Sequence, residues 1–148
     1  GTKSKSLISS VDFYPTFVEL AGGKLPMDQK IDGKSFVSLL DEKKSQEERA
    51  IFWHYPVYHH GEPASAIRKG DWKLIHNLVD NTTELYNLSE DIGESNDLTQ
   101  KNPTKSAELL AELNAWRKDT DARFPVKNPD FDPKQREKWG KHPSRGKQ

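Results

Sequence analysis

The sequence predicts an α+β fold: a small four-stranded antiparallel sheet with one long C-terminal helix packed on it. Three observations predict it. Four short strand candidates follow one another between residues 50 and 88, the first of them rich in β-branched and aromatic residues. The links between them are short, and short links join antiparallel neighbours. A single stretch of sustained helical periodicity then follows, with Leu109, Leu110, Leu113 and Trp116 at three- and four-residue steps.

The composition sets the scale. A chain of 148 residues suffices for one domain with its own core, but 32% apolar against 31% charged residues makes that core modest. Lys plus Arg and Asp plus Glu both number 23, so net charge gives no reason to expect a nucleic-acid or membrane partner. No apolar run approaches the length of a membrane span or a signal-peptide core, and residue 1 is glycine. With no cysteine, disulfides and thiolate zinc sites are excluded, and a metal would need His and carboxylates.

Taken in order, the first element is a helix over about residues 11–21. Ser10 is placed to cap it, Pro15 is tolerable in the first turn, and Gly22 or Gly23 can take the positive φ that ends it. Phe13, Phe17, Leu20 and Ala21 then share one face. Residues 24–34 form a connector, Ser35 to Leu40 about two helical turns, and Asp41 to Arg49 a charged, exposed stretch. Strands are expected at Ala50–Tyr55, Ala64–Arg68, Trp72–Leu78 and Thr83–Leu88, with Gly70-Asp71 as a hairpin turn. Trp72, Leu74 and His76 should face one way. Asn102 and Pro103 open the long helix, which runs to about Lys118. Beyond it, Arg117 to Gln148 carries ten Lys or Arg against five Asp or Glu, and four prolines. Without periodicity, this reads as an extended basic tail docked through Phe124, Phe131 and Trp139. Its sparse aromatics match no nucleic-acid-binding motif.

The candidate chemistry concentrates in Trp53-His54-Tyr55-Pro56-Val57-Tyr58-His59-His60-Gly61-Glu62. Three His and one Glu could suggest a metal site, but His54 and His59 flank a proline bend that gives no reason for them to converge. Substrate contact is the stronger functional reading. His and Tyr at a strand end can hydrogen-bond the oxygens of a polar ligand, and their rings can cover its apolar faces. The plain alternative is that the aromatics pack the sheet while His59 and His60 are solvated. Arg68 could fork onto an oxyanion of a ligand, or pair with Asp71 or a carboxylate outside this unit. Glu84, Asp91 and Glu94 lie in too polar a stretch to work as an acid/base pair, and turn roles suit them better. The substrate-binding candidates are therefore His54, His59, His60 and Arg68; no catalytic or metal-ligating residue is assigned.

The run Ala66-Ile67-Arg68-Lys69-Gly70-Asp71-Trp72-Lys73-Leu74-Ile75, followed by Glu84-Leu85-Tyr86-Asn87-Leu88, Asp91 and Glu94, resembles the C-terminal region of type I, formylglycine-dependent sulfatases. Val11-Asp12, Pro15-Thr16 and Ala21-Gly22 resemble the helix that closes that family's large N-terminal domain. Asp32-Gly33-Lys34-Ser35 with Leu39-Leu40 matches a further family string, with Ser38 in place of its usual proline. Asn128-Pro129-Asp130-Phe131-Asp132-Pro133 is similar to the ending of many bacterial polysaccharide sulfatases. The resemblance covers about residues 7–133.

It implies a division into residues 1–23, the last helix of an upstream domain; 24–49, a connector; 50–118, the C-terminal α+β subdomain; and 119–148, the basic tail. It also implies what the chain lacks. The family attacks sulfate esters with formylglycine, made from Cys or Ser in a C/S-x-P-S/A-x-R motif, beside a divalent cation, usually calcium. No such motif occurs here. The nucleophile and metal ligands are expected upstream, the fragment inactive, and the upstream catalytic domain its partner. A sulfated polysaccharide or glycosaminoglycan is the implied substrate, the periplasm or exterior the implied location. In the family, the loop after the strand matching Phe52–Pro56 approaches the mouth of the active site. The rival readings are a phosphate or phosphonate ester hydrolase of the alkaline-phosphatase superfamily and a non-catalytic carbohydrate-binding module.

Overall fold

The computed structural model describes residues 3–4, 6–40, 49–58, 61–132 and 134. A 3₁₀ turn at Ser10–Asp12 leads into helix α1 (Phe13–Leu20). The expected helix is present, but its cap is Ser9 rather than Ser10. The Ser9 N–H donates to Asp12 Oδ2 at 2.6 Å, so the Asp12 carboxylate closes the first turn from within. Pro15 is buried in that turn. At the other end Gly22, at φ 69°, lets its own N–H reach Glu19 O and that of Gly23 reach Val18 O. These two bonds form a Schellman stop.

The face of α1 bearing Phe13, Phe17 and Leu20 is open, while Asp12, Pro15 and Thr16 are buried against the connector. The Lys34 N–H donates to Asp12 Oδ1 and the Phe36 N–H to Thr16 Oγ1. Gly33 fits beside α1 because a Cβ there would come within 2.0 Å of Val11 O. These contacts hold 33–36 off a helical path. The two turns expected over Ser35–Leu40 therefore shrink to one 3₁₀ turn at Val37–Leu40.

The stretch expected to be exposed needs a second correction. Residues 41–48 lie outside the described ones, but Arg49 is largely buried, its side chain 9% exposed. It forks onto the fully buried Asp12, with Nη1 to Oδ1 at 2.9 Å and Nη2 to Oδ2. This bidentate pair ties α1 to the first strand.

The sheet comprises β1 (Ala50–Tyr55), β2 (Ala64–Lys69), β3 (Trp72–Asn77) and β4 (Thr83–Asn87), paired antiparallel in chain order. β1 has the expected bounds, and β2, β3 and β4 each differ from expectation by one residue at the C-terminal end. The β2–β3 hairpin turns on Gly70 at φ 56°, the first central position, where this turn class takes glycine. One face of the sheet receives helix α2 (Pro103–Asp119). Ile67, Leu74, Leu85, Leu109 and Leu113 are fully buried between them, and Phe52 stacks on Trp116 at 4.9 Å. Asn102 and Pro103 start α2 as expected, though the Asn102 side chain makes no capping bond. This is the predicted α+β unit.

After α2 the chain stops in a second Schellman arrangement, with Asp121 at φ 49° where glycine is usual. Of the expected tail anchors, Phe124 docks onto His54 and Arg117, and Phe131 is 55% exposed. Trp139 lies outside the described residues.

Candidate substrate rim and the polar cluster behind it

One end of the sheet gathers the end of β1, the start of β2, the end of β3 and the start of β4. The loop from Pro56 to Pro63 leaves β1 here. Its described part exposes Tyr58 and returns through Pro63, which is buried and whose carbonyl accepts the Leu78 N–H at 2.9 Å. His59 and His60, two of the four site candidates, lie outside the described residues. Beside the loop, a shallow cavity of about 260 Å³ is lined by Glu62, Ala64, Ile75, Asn77, Thr82 and Glu84. Asn77 Nδ2 donates to Glu62 Oε2 at 2.6 Å across its mouth.

His54 faces α2, and both its ring nitrogens are engaged. Nε2 lies 2.7 Å from Arg123 O, and Nδ1 2.7 Å from Ser65 Oγ. A carbonyl only accepts, so Nε2 carries the proton and Nδ1 takes the Ser65 hydroxyl. His54 thus clamps the segment after α2 onto β1. Arg68 stands three residues along β2 from Ser65, the register partner of His54, and on the opposite face. It is about 10 Å away along the strand, so one ligand group cannot meet both. Arg68 Nε reaches Gly70 O at 3.4 Å. The pairing with Asp71 considered from sequence does not form among the described residues.

Sequence reasoning missed the cluster behind His54. Arg117, counted above with the basic tail, is 3% exposed beneath α2. Its Nη1 and Nη2 each lie 3.0 Å from His76 Nδ1, and Nη1 is 3.4 Å from Ser65 Oγ. Asn114 Oδ1 accepts from Nη2, and the guanidinium sits over the Phe124 ring at 5.2 Å. Since Arg117 only donates, His76 Nδ1 must carry a lone pair, and its Nε2–H donates to Asn81 Oδ1 at 2.8 Å. Burial lowers the pKa of Arg117. The signal was available: Arg117 continues the Leu109 and Leu113 stripe at four-residue steps.

Two carboxylates and a tyrosine have shifted acidities with structural causes. Burial of Asp12 opposes its ionisation, but the Arg49 fork and the Lys34 and Ser9 N–H groups outweigh it, so its pKa falls below the ordinary value. Asp97 is likewise lowered: burial opposes ionisation, but bonds from the Leu85 N–H and Thr99 outweigh it. Burial, then the bond to Glu84, raises Tyr86 to about 12. Glu94, a turn residue at φ 54°, pairs with Lys73 at 2.7 Å.

Among the described residues, no group of three or more His, Asp or Glu side chains could hold a metal ion. Without a cysteine or a fitting serine motif, the chain offers no precursor for formylglycine. The described residues therefore offer no ligand set for the metal and the sequence no formylglycine precursor, and no catalytic step is assigned to them. No helix among the described residues is long and apolar enough to cross a membrane.

A four-stranded antiparallel sheet backed by one helix, reached through a Val-Asp-x-x-Pro-Thr helix, defines a class of C-terminal sulfatase subdomain. The chain belongs to that family: the pattern of the family "N-sulphoglucosamine sulphohydrolase, C-terminal" matches residues 1–119. It is 39% identical over 125 residues to a sulfatase of Formosa agariphila, covering 74% of this chain and 23% of the relative. It is 31% identical over 137 residues to an N-acetylglucosamine-6-O-sulfatase of Bacteroides thetaiotaomicron, covering 88% and 24%. Among solved structures, a 2-O GAG sulfatase superposes with a TM-score of 0.63 at 28% identity, covering 84% of this chain and 28% of that one. A further structure, solved with D-glucosamine-2-N,6-O-disulfate as its substrate, gives 0.59 at 32% identity, covering 72% and 23%. The chain spans about a quarter of the length of the curated relatives it matches.

Proposed function

We propose that this chain is the C-terminal part of an enzyme hydrolysing sulfate esters of a sulfated polysaccharide or glycosaminoglycan. The observation that carries this reading is the run of sulfatases among its relatives, aligned over most of its own length. In the whole protein, formylglycine and calcium belong to the upstream catalytic portion, and the protein acts in the periplasm or outside the cell. The loop from Pro56 to Pro63 forms part of the substrate rim through His59 and His60. Arg68 is retained as a separate contact on the opposite face of the sheet from His54. His54 supports the rim from behind, since its ring nitrogens already hold Ser65 and Arg123.

The test uses the full-length protein whose reading frame carries this chain. Replacing His59 or His60 with Ala should raise KM for a sulfated oligosaccharide, with a loss of about 1–3 kcal/mol in kcat/KM. Turnover of a small aryl sulfate should barely change, because it does not reach the rim. Equal losses on both substrates would place the loop in the chemical step or in fold integrity instead. No sulfate release from any substrate would sink the sulfatase reading itself.

A further inference from the structure

The irregular segment after α2 is held at one point by several contacts. The Ala122 N–H reaches Arg117 O at 2.9 Å, and Asp121, at φ 49°, turns the chain toward β1. The His54 Nε2–H then donates to Arg123 O at 2.7 Å. Phe124 sets its ring against His54 at 5.8 Å and under the buried Arg117 guanidinium at 5.2 Å. The hold has a fixed polarity. Arg117 only donates, so Ser65 Oγ accepts from it and gives its own proton to His54 Nδ1. The His54 proton therefore stays on Nε2, facing the Arg123 carbonyl. The other tautomer would set a lone pair against that carbonyl and release it.

What is held in this way is a cation beside the proposed rim. His54 stands two residues before Pro56, where the rim loop leaves β1, so the Arg123 backbone is fixed at the base of that loop. The Arg123 side chain is exposed and meets no acceptor among the described residues. Between residues 122 and 129 the chain carries Arg123 and Lys127 and no acidic residue. An arginine on a freely moving loop forfeits much of any ionic contact in ordering itself. Here the backbone is ordered in advance, and the planar guanidinium is free to fork onto an oxyanion.

We infer that the segment after α2 forms a second wall of the substrate rim, with Arg123 contacting a sulfate or carboxylate group of an anionic saccharide. This rests on the proposed reading of the chain as part of a polysaccharide sulfatase, whose substrate carries negative charge on more than one sugar. The group contacted is not the sulfate that is cleaved, because Arg123 sits at the rim and not at the chemistry. It adds affinity without touching the reacting atoms, and a small aryl sulfate does not reach it.

The experiment uses the full-length protein. Arg123→Gln should raise KM for a sulfated hexasaccharide that the protein hydrolyses by about 3- to 10-fold, with kcat unchanged. Arg123→Lys keeps the charge and should recover part of the loss. The rise should shrink as salt is added, because an exposed charge contact is screened. Turnover of a small aryl sulfate should not change, and the thermal midpoint should move by less than about 1 °C. Lys101→Gln removes the same charge just before the far end of α2 and should leave KM unchanged. An unchanged KM in Arg123→Gln overturns the inference. So does an equal rise in Lys101→Gln, which would show an effect of net charge alone. An equal loss on the aryl sulfate overturns it too, by placing Arg123 in fold integrity or the chemical step. In a His54→Ala background, Arg123→Gln should raise KM less than it does in the unaltered protein, and strictly additive losses count against the clamp. If His59→Ala and His60→Ala leave KM unchanged while Arg123→Gln raises it, the contact stands and the loop loses its part in the rim. If the full-length protein releases no sulfate, calorimetry with a heparin hexasaccharide decides the contact by itself. A Kd raised about 3- to 10-fold by Arg123→Gln and not by Lys101→Gln keeps the anion contact while losing the sulfatase reading, and equal Kd values overturn both.

Discussion

At the residue scale, the two positions that sequence pattern misjudged are both arginines. Arg117 and Arg49 stand in runs of charged residues, and charge-rich runs usually face solvent. Each is buried because specific acceptors wait for it: the imidazole, hydroxyl and amide of His76, Ser65 and Asn114 in one case, the Asp12 carboxylate in the other. Such acceptors come from distant parts of the chain and leave no local signature. Arg117→Ala should leave His76 Nδ1 and Asn114 Oδ1 without the donor they share, costing about 2–3 kcal/mol in urea denaturation. Asp121 supplies the opposite case. At φ 49° its side chain is strained where glycine is not, so Asp121→Gly should stabilise by about 0.5–1 kcal/mol.

At the scale of elements, the hydrophobic periods did most of the predicting. Strand alternation and the α2 stripe report burial against one large neighbour, and they located four strands and the core helix to within about a residue. The same logic gave α1, whose apolar stripe is largely exposed and meets Phe36 only at Phe13 among the described residues. Short-range polar bonding was less legible, as the shift of the cap to Ser9 and the shrunken connector helix show. The Asp12–Arg49 pair that joins these elements also makes a pH prediction. Its carboxyl is more acidic folded than unfolded, so its contribution is present above the ordinary aspartate value of about 3.9. That contribution is lost as pH falls through the lowered folded value. Acid unfolding of Arg49→Met should lack this component, and the substitution should cost about 3–5 kcal/mol at neutral pH. Tyr86 works at the other extreme. Raised to about 12, it favours the folded state fully below pH ~10 and progressively less above it. Tyr86→Phe should remove the tyrosinate absorbance that appears near pH 12.

At the scale of the whole molecule, the candidate site was legible as a place but not as a set of contacts. The sequence located the Trp53–Glu62 loop at a strand end, yet could not tell that His54 turns inward while Arg68 points to the other side. Face assignment of a strand depends on which layer covers it, and the covering helix α2 comes from a later part of the sequence. The chain alone should show no sulfatase turnover above a heat-killed control, since it offers no formylglycine precursor. A chain beginning at Lys24 should be more soluble than the full 148 residues, because Phe13, Phe17 and Leu20 leave with α1.

The strand order itself has a consequence for how the molecule is made. Each strand pairs with the one synthesised just before it, so the sheet needs no loop closure longer than a hairpin. During translation the meander can register itself strand by strand, with the two faces still unclaimed. Helix α2, synthesised after all four strands, then seals one face. Assembly would thus end at the Leu109–Leu113 contact, and lesions there should appear as slow final compaction of an already paired sheet.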